Sequence, residues 1–112
     1  MEQVRVLQAL SALSNATRLE IVRLLVPLGD GGLAAGEIAA RLGISASALS
    51  FHLSALEQAG LLVSKKVSRK VIYRADHGQL GRVIAYLLND CCAAHPKVRD
   101  RCQPTPPARE TT

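Results

Sequence analysis

Three cysteines carry the side chains in this sequence that are best suited to bind soft metal ions or to undergo redox chemistry. Cys91 and Cys92 are adjacent, and Cys102 follows them within the last fifth of the 112-residue chain. An odd number of cysteines in a cytosolic protein argues against a disulfide framework. The residue types therefore indicate metal, metalloid or redox chemistry, and these alternatives stay open at this point.

A cluster of cations is the second group of residues that could do chemistry. Residues 61–74 contain five basic residues and no acidic residue, whereas basic and acidic residues balance in the rest of the chain, so the formal net charge of +5 arises in this one segment. A solvated surface usually interleaves both signs, so the segment predicts contact with a polyanion. The cluster consists of Lys65, Lys66, Arg69, Lys70 and Arg74.

The composition limits the class of protein that can position these side chains. The length suits one domain, and 48% hydrophobic and 21% charged residues are typical of a globular one. Only 3% of the residues are aromatic and Trp is absent, which predicts an aliphatic, mainly helical core. No apolar run could span a bilayer and the N-terminus does not resemble a signal peptide, so we expect a cytoplasmic protein without membrane contact.

Apolar periodicity and capping residues predict five helices. The first covers residues 3–13, and the second begins after Asn15 and ends at Pro27. A short third helix over residues 35–41 ends at Gly43, and Ser45 caps a fourth over residues 46–58. Two β-prone runs around the basic cluster then predict a hairpin with a cationic tip. This order is that of a winged helix-turn-helix, mainly α with one β-hairpin.

The last predicted helix, over residues 77–91, has the most regular apolar stripe. Such a stripe requires a partner surface, and the first helix is striped as well, so we expect a homodimer through the N- and C-terminal helices. Packing within one chain is the alternative. The stripe consists of Leu80, Val83, Ile84, Leu87, Leu88 and Cys91.

The predicted organisation has two parts. Residues 1–92 form the DNA-binding and dimerisation domain, and residues 93–112 form a C-terminal segment that carries the third thiol. Residues 103–112 include three prolines and no large apolar residue, which predicts a disordered tail.

The predicted contacts with double-stranded DNA lie on the fourth helix and on the hairpin. The start of this helix has small polar residues but no Arg or Asn for bidentate base recognition, so DNA shape would contribute to specificity. The serines could instead be ordinary exposed residues, and His52 could brace the helix within the domain. An enzyme is not expected, because Ser50 and His52 diverge on a helix and no acid accompanies them. The predicted DNA-binding residues are Ser45, Ser47, Ser50, His52, Lys65, Lys66, Arg69 and Lys70.

Three stretches of the sequence resemble the ArsR/SmtB family of metalloregulatory repressors. They are LSNATRLEIV at residues 13–22, GEIA at residues 36–39 and SFHLSALEQAGLL at residues 50–62. The resemblance implies a homodimeric winged-helix repressor that releases its operator when a thiophilic or metal effector binds. It also implies that the terminal helices form the dimer interface.

The cysteines resemble those of an arsenic-responsive subgroup of that family, with a vicinal pair and a third Cys near the C-terminus. The resemblance implies As(III), or Sb(III), bound by Cys91, Cys92 and Cys102, and soft thiolates suit such ions. The helix before the turn lacks the thiols of other arsenic sensors, and the last helix lacks the histidine pattern of the zinc sensors. There are two alternatives. One is a redox switch, and the other is a site for Zn(II) or Cd(II) with His95 as a fourth ligand.

The coupling of the thiols to DNA is a further hypothesis. Neighbouring residues on a regular helix point about 100° apart, so Cys91 and Cys92 could hold one ion only if the helix end frays. The segment from there to Cys102 contains Pro96 and is predicted to be a loop. Effector binding would then pull on the end of the dimer helix.

Overall fold

A computed structural model describes residues 1–102 and shows a mainly helical chain with a small antiparallel sheet. The predicted disordered tail, residues 103–112, lies outside the described residues. No helix in residues 1–102 is long and apolar enough to cross a membrane. The helices are α1 (Gln3–Leu13), α2 (Ala16–Leu25), α3 (Ala35–Leu42), α4 (Ala46–Gln58), α5 (His77–Ala85) and α6 (Pro96–Arg101), and the strands are β1 (Leu33–Ala34), β2 (Leu62–Val67) and β3 (Lys70–Ala75).

Side-chain caps set the beginnings of the helices that carry the DNA-binding unit. Asn15 Oδ1 accepts a hydrogen bond from the backbone N–H of Arg18 at 3.1 Å, and Ser45 Oγ accepts one from Ala48 at 3.2 Å. These bonds satisfy amide groups that have no partner in the first turn of a helix. Gly43 ends α3 with a φ of +66°, which glycine adopts without strain. The predicted caps and the predicted turn are thus confirmed.

The hairpin predicted from the two β-prone runs is formed by β2 and β3, which pair from Leu62 with Ala75 to Val67 with Lys70. The sheet has a third strand that was not predicted, because β1 is only two residues long and shows no alternation. It pairs with β3 at Leu33 and Tyr73. Gly32 makes this pairing possible, since a Cβ atom at Gly32 would collide with the carbonyl oxygen of Tyr73.

The core is aliphatic, as the composition predicted, and it joins α1, α2, α3, α4, the sheet and α5. Three leucines on one face of α4 are almost fully buried, so the orientation of this helix is determined by packing. Val83 connects α5 to the same core. The largest fully buried side chains are Ile21, Leu25, Ile38, Leu49, Leu53, Leu56, Leu62 and Val83.

The C-terminal region differs from the prediction in two respects. The continuous helix predicted over residues 77–91 is α-helical only to Ala85, and Tyr86–Cys91 is a π-helical segment. Apolar periodicity missed this change because the apolar residues continue, whereas none of residues 86–102 is fully buried. The predicted loop before Cys102 is wrong as well, because it contains α6, with Pro96 at its first turn and a hydrogen bond from Lys97 N–H to His95 Nδ1.

Candidate nucleic-acid interface and thiol segment

The outer face of α4 is exposed and consists of small residues and one aromatic ring. The leucines at positions 49, 53 and 56 face the core, so the helical period places Ser47, Phe51 and Ser54 on the opposite side. Ser50 is exposed on the flank of the helix that faces α3. Ser45 is exposed too, but its hydroxyl caps the helix. The predicted serines therefore lie at the exposed start of α4, where base edges can approach.

His52 braces α4 against α2, which was one of the two roles that the sequence left open for it. The Arg18 Nη1 atom lies 3.1 Å from His52 Nδ1, and Arg18 Nε donates a hydrogen bond to the Ala12 carbonyl oxygen at 2.7 Å. A guanidinium group can only donate, so Nδ1 must accept and a neutral His52 carries its proton on Nε2. Arg18 thus links the end of α1 to α4 and determines the tautomer of His52.

Phe51 belongs to this interface, although the sequence reasoning assigned no role to it. Its side chain is 68% exposed, and its ring meets the ring of His52 edge to face, with the centroids 5.4 Å apart and an interplanar angle of 70°. The sequence does contain a signal for this role, because the only Phe of the chain lies, by the helical period, opposite the leucine face of α4.

The cations of the hairpin lie on both of its faces. Lys65, Lys66, Arg69 and Lys70 are all exposed. Alternation along β2 places Lys66 on the face of Ser64, whose hydroxyl donates a hydrogen bond to Glu57 of α4, and places Lys65 on the other face. Lys66 therefore points to the side of the sheet on which α4 lies.

Two residues of β3 lie near acidic side chains. Arg74 lies 3.8 Å from Asp30, so the fifth basic residue of the segment is paired with an acid. Tyr73 stands opposite Ser64 in the hairpin, and burial, followed by the charge of Glu57, raises its pKa above the ordinary value. Tyr73 consequently remains neutral and keeps its phenol proton near neutral pH.

The three cysteines have free thiols and lie in the last part of residues 1–102. Cys91 and Cys102 are exposed and Cys92 is half-buried, so Cys91 is not a buried hydrophobic residue of the stripe. A hydrogen bond with the Cys91 thiol raises the pKa of Cys92, and desolvation and the charges of Cys91 and Cys102 raise it further. Both other cysteines therefore raise the pKa of Cys92, and Cys91 does so more than Cys102.

This arrangement is not a complete metal site within one chain. In residues 1–102, no group of three or more His, Cys, Asp or Glu side chains is arranged to hold a metal ion. The imidazole of His95 accepts a backbone hydrogen bond at the start of α6. The thiol set inferred from the family resemblance accordingly stays a prediction.

Comparisons with known proteins agree with the geometry of the DNA-binding unit. Residues 13–65 match the family described as a helix-turn-helix domain. The chain is 35% identical over 83 residues to the HTH-type transcriptional regulator YgaV of Escherichia coli (strain K12), covering 74% of this chain and 82% of YgaV. An ArsR-like transcriptional regulator from Rhodococcus sp. RHA1 superposes with a TM-score of 0.70 at 31% identity, over 87% of this chain and 89% of that one. The chain belongs to the ArsR family.

Membership in the ArsR family makes this chain a DNA-binding transcriptional regulator with a winged helix-turn-helix fold. The family resemblance seen in the sequence and the predicted fold class are confirmed. Its relatives are regulators and not enzymes, in agreement with the expectation from Ser50 and His52. A response to arsenic remains a prediction.

A homodimeric neighbour draws attention to an unpartnered apolar surface on this ArsR-family chain. The winged helix-turn-helix domain Mb0332 of Mycobacterium bovis, described as homodimeric, superposes with a TM-score of 0.62 at 28% identity over 82% of each chain. In the present chain Val4 and Leu7 of α1 are 57% and 54% exposed, and Ile84 of α5 is 50% exposed. The two helices that the sequence predicts to dimerise therefore each present apolar side chains to solvent.

Proposed function

We propose that this chain is a homodimeric transcriptional repressor that leaves its operator when trivalent arsenic binds Cys91, Cys92 and Cys102. The observation that carries the proposal is the presence of three free thiols at and after the end of the segment that continues α5, where Cys91 and Cys102 both raise the pKa of Cys92. Trivalent antimony has the same ligand preference and belongs to the same proposal.

The geometry of α4 and of the hairpin supports operator binding. The second helix of a helix-turn-helix enters the major groove with its N-terminal residues near the base edges, and these residues are exposed here. Lys66 on the α4 side of the sheet and Arg69 at the tip of the hairpin supply charge for the phosphates. Each protomer would contact one half-site.

The exposed apolar residues of α1 and α5 support a two-fold dimer. Val4, Leu7 and Ile84 would be buried against the same residues of a second copy, as in an isologous interface. Dimerisation also sets the separation of the two α4 helices, which must match half-sites about one helical turn apart. A change at the end of α5 can therefore alter DNA affinity.

The chemistry of the thiols supports a soft trivalent effector. Arsenous acid reacts with three thiols to form three As–S bonds, and each hydroxide leaves with a thiol proton as water, so no electron is transferred. Thiolates prefer soft ions, and three sulfurs satisfy As(III) whereas a structural zinc site requires four ligands. The raised pKa of Cys92 is compatible with this exchange, because each thiol proton is used to form water.

Effector binding would act on the dimer helix through the backbone. Cys91 ends the π-helical segment, and that segment follows α5 without a break. Recruiting Cys102 to the vicinal pair requires α6 to change its position relative to this helix end. The proposed coupling thus runs from the thiols through residues 86–91 to Ile84 at the dimer surface.

The test is fluorescence anisotropy of labelled DNA from upstream of the chain's own gene, with reduced protein and increasing arsenite. We expect arsenite to release wild-type protein, and the Cys91→Ser/Cys92→Ser variant to bind the DNA and stay bound. The Cys102→Ser variant should respond only at higher arsenite concentration. His95→Ala serves as the matched control and should respond like wild type. Release of the double Ser variant by arsenite, or no release of wild type, would contradict the proposal.

A thiol-redox switch is the second candidate, and the effect of Cys102 on the pKa of Cys92 favours it. A peroxide could oxidise these two thiols to a disulfide, and it would be reduced to water in the process. Mass spectrometry after mild peroxide treatment, together with the DNA-binding assay, separates the two candidates. Release by peroxide but not by arsenite would favour the redox switch.

A further inference from the structure

The outer face of α4 bears an exposed aromatic ring, Phe51, that is not part of the hydrophobic core formed within residues 1–102. In residues 1–102, Phe51 is the most exposed of the large hydrophobic side chains. Val4, Leu7 and Ile84 are also exposed, but they lie on α1 and α5, where the dimer surface is proposed. Phe51 instead lies opposite the buried leucines of α4, away from the core.

The position of this ring is fixed by its neighbours. The edge-to-face contact with His52 orients Phe51, and His52 is held by Arg18, which is itself anchored to the Ala12 carbonyl oxygen. An aromatic side chain has only two rotatable side-chain bonds, so little conformational entropy remains to be lost on contact with a partner. Phe51 is thus a preorganised apolar contact on a recognition helix.

The surrounding residues indicate what this contact is. The same face of α4 also bears Ser47, Ser54 and, in its last turn, Gln58, so the N-terminal part of this face contains no Arg, Lys, Asn or Gln for hydrogen bonding to guanine or adenine. In the major groove the apolar feature of the base edges is the C5-methyl group of thymine, and Phe is among the side chains that contact it. Lys66 adds positive charge on the side of the sheet where α4 lies.

We propose that Phe51 reads the C5-methyl group of a thymine in each operator half-site. The inference rests on the proposed function, in that α4 must enter the major groove, and it adds the base feature that is recognised. Arg18 and His52 are positioning residues in this scheme, since they hold the Phe51 ring and do not need to touch the base themselves. A second copy of the chain covering Phe51 is the competing occupant.

The test replaces thymine by deoxyuridine, which removes the methyl group and keeps the Watson–Crick pair. The starting duplex is selected by the wild-type protein from a random-sequence library. Affinity is then measured with one thymine replaced at a time, and afterwards with the two symmetry-related thymines of both half-sites replaced together. We expect one position per half-site at which wild-type affinity falls about fourfold, and about fifteenfold for the symmetric pair, as for the burial of one and two methyl groups.

Three variants make the result specific. Phe51→Ala should bind the thymine duplex more weakly and should bind the thymine and deoxyuridine duplexes equally, because the group that senses the methyl is gone. Ser54→Ala, on the same face, should keep the wild-type discrimination. Phe51→Leu should keep part of it. Because Phe51 is exposed, circular dichroism should show the same helix content for the Ala variant and wild type.

The outcomes separate this inference from the proposed function. Absence of any sensitive thymine in wild type, or equal discrimination by wild type and Phe51→Ala, would overturn the thymine contact even if arsenite still released the DNA. A Phe51→Ala variant that sediments as a monomer would also overturn it in favour of the second-copy contact. Failure of arsenite to release wild type would contradict the proposed effector but leave the thymine result standing.

Discussion

The DNA-binding unit and the thiol segment of this chain are stabilised in different ways. In the former, three leucines of α4 are buried, Ser45 caps the helix and Arg18 ties it to α1. In the thiol segment, residues 86–102, no side chain is buried, and the hydrogen bonds are local ones of the π-helical turn and of α6. The DNA-binding unit is fixed by tertiary packing, whereas the thiol segment is held mainly by local backbone hydrogen bonds, with Tyr86 and Leu87 partly packed against the core.

The difference indicates which region can change its conformation at a low cost in free energy. Regions with few buried contacts open and rearrange at lower free energy than regions in the core. Ala93 and Ala94 both have φ near +54°, in the left-handed region, where each non-glycine residue costs about 1 kcal/mol or more. The segment that carries the thiols is therefore already strained between Cys92 and α6, whereas the recognition helix is preorganised.

The two regions should differ most in how far an alanine substitution lowers the free energy of unfolding. Leu56→Ala removes a side chain with no exposed surface and should lower the free energy of unfolding by about 3 kcal/mol. Val98→Ala in α6 should change it by less than about 0.5 kcal/mol, because Val98 is exposed. Urea denaturation followed by circular dichroism measures both. Similar losses for the two variants would show that the thiol segment is part of the cooperative core.

Loss of Arg18 should have the next largest effect. Arg18→Ala removes the hydrogen bonds to Ala12 and His52 and should lower the free energy of unfolding by about 1–2 kcal/mol. Arg23→Ala on the same helix is the matched control, because its ion pair with Glu20 is exposed and contributes little. If both variants were equally stable in urea denaturation, the link between α1 and α4 would not contribute to the rigidity of the DNA-binding unit.

The two faces of the hairpin should differ in their effect on DNA binding. Lys66→Ala should reduce the slope of log affinity against log salt by about 1.8, since one phosphate contact would be lost in each half of the proposed dimer. Lys65→Ala should reduce it less, because Lys65 lies on the face away from α4. Anisotropy titrations at several salt concentrations give the slopes. A larger change for Lys65 would reverse the assignment of the faces.

The smallest expected effect concerns the titration of Cys92. The hydrogen bond with Cys91 is the main cause of the raised pKa of Cys92, so Cys91→Ala should lower that pKa. More thiolate would then be present at a given pH, and the midpoint of the alkylation rate of Cys92 by iodoacetamide should move to lower pH.

Cys102→Ala provides the comparison for this titration. The charge of Cys102 is the weakest of the causes acting on Cys92, so the midpoint should move less than in Cys91→Ala. Tandem mass spectrometry assigns the alkylated residue at each pH. An equal or larger shift in Cys102→Ala would mean that the third thiol, and not the vicinal partner, controls Cys92.

The sequence allowed those parts of the fold to be predicted whose cause is local. Asn15, Ser45 and Gly43 mark helix ends through bonds or backbone angles within a few residues, and the leucine spacing identifies the buried face of α4. The strand β1 escaped because it depends on pairing with Tyr73, which is distant in sequence. The π-helical turn escaped because its composition is that of an α-helix.

The candidate site divides in the same manner. The cysteines and the basic segment are visible as residue types and spacing, which is why they could be named from the sequence alone. The bond between Arg18 and His52 joins residues 34 positions apart, so only the fold brings them together. Phe51 became significant once the structure showed both its exposure and its contact with His52.

The π-helical turn at Tyr86–Cys91 determines how the end of this helical segment is oriented relative to α5. Hydrogen bonds from i to i+5 enclose one residue more than those of an α-helix, so Tyr86–Cys91 contains a surplus residue. Its conversion to α-helical bonding would rotate Cys92 by about 100° about the axis and shift it by about 1.5 Å. The direction in which the thiols face is thus set by the register of this turn, independently of the side of α5 that holds Val83 in the core.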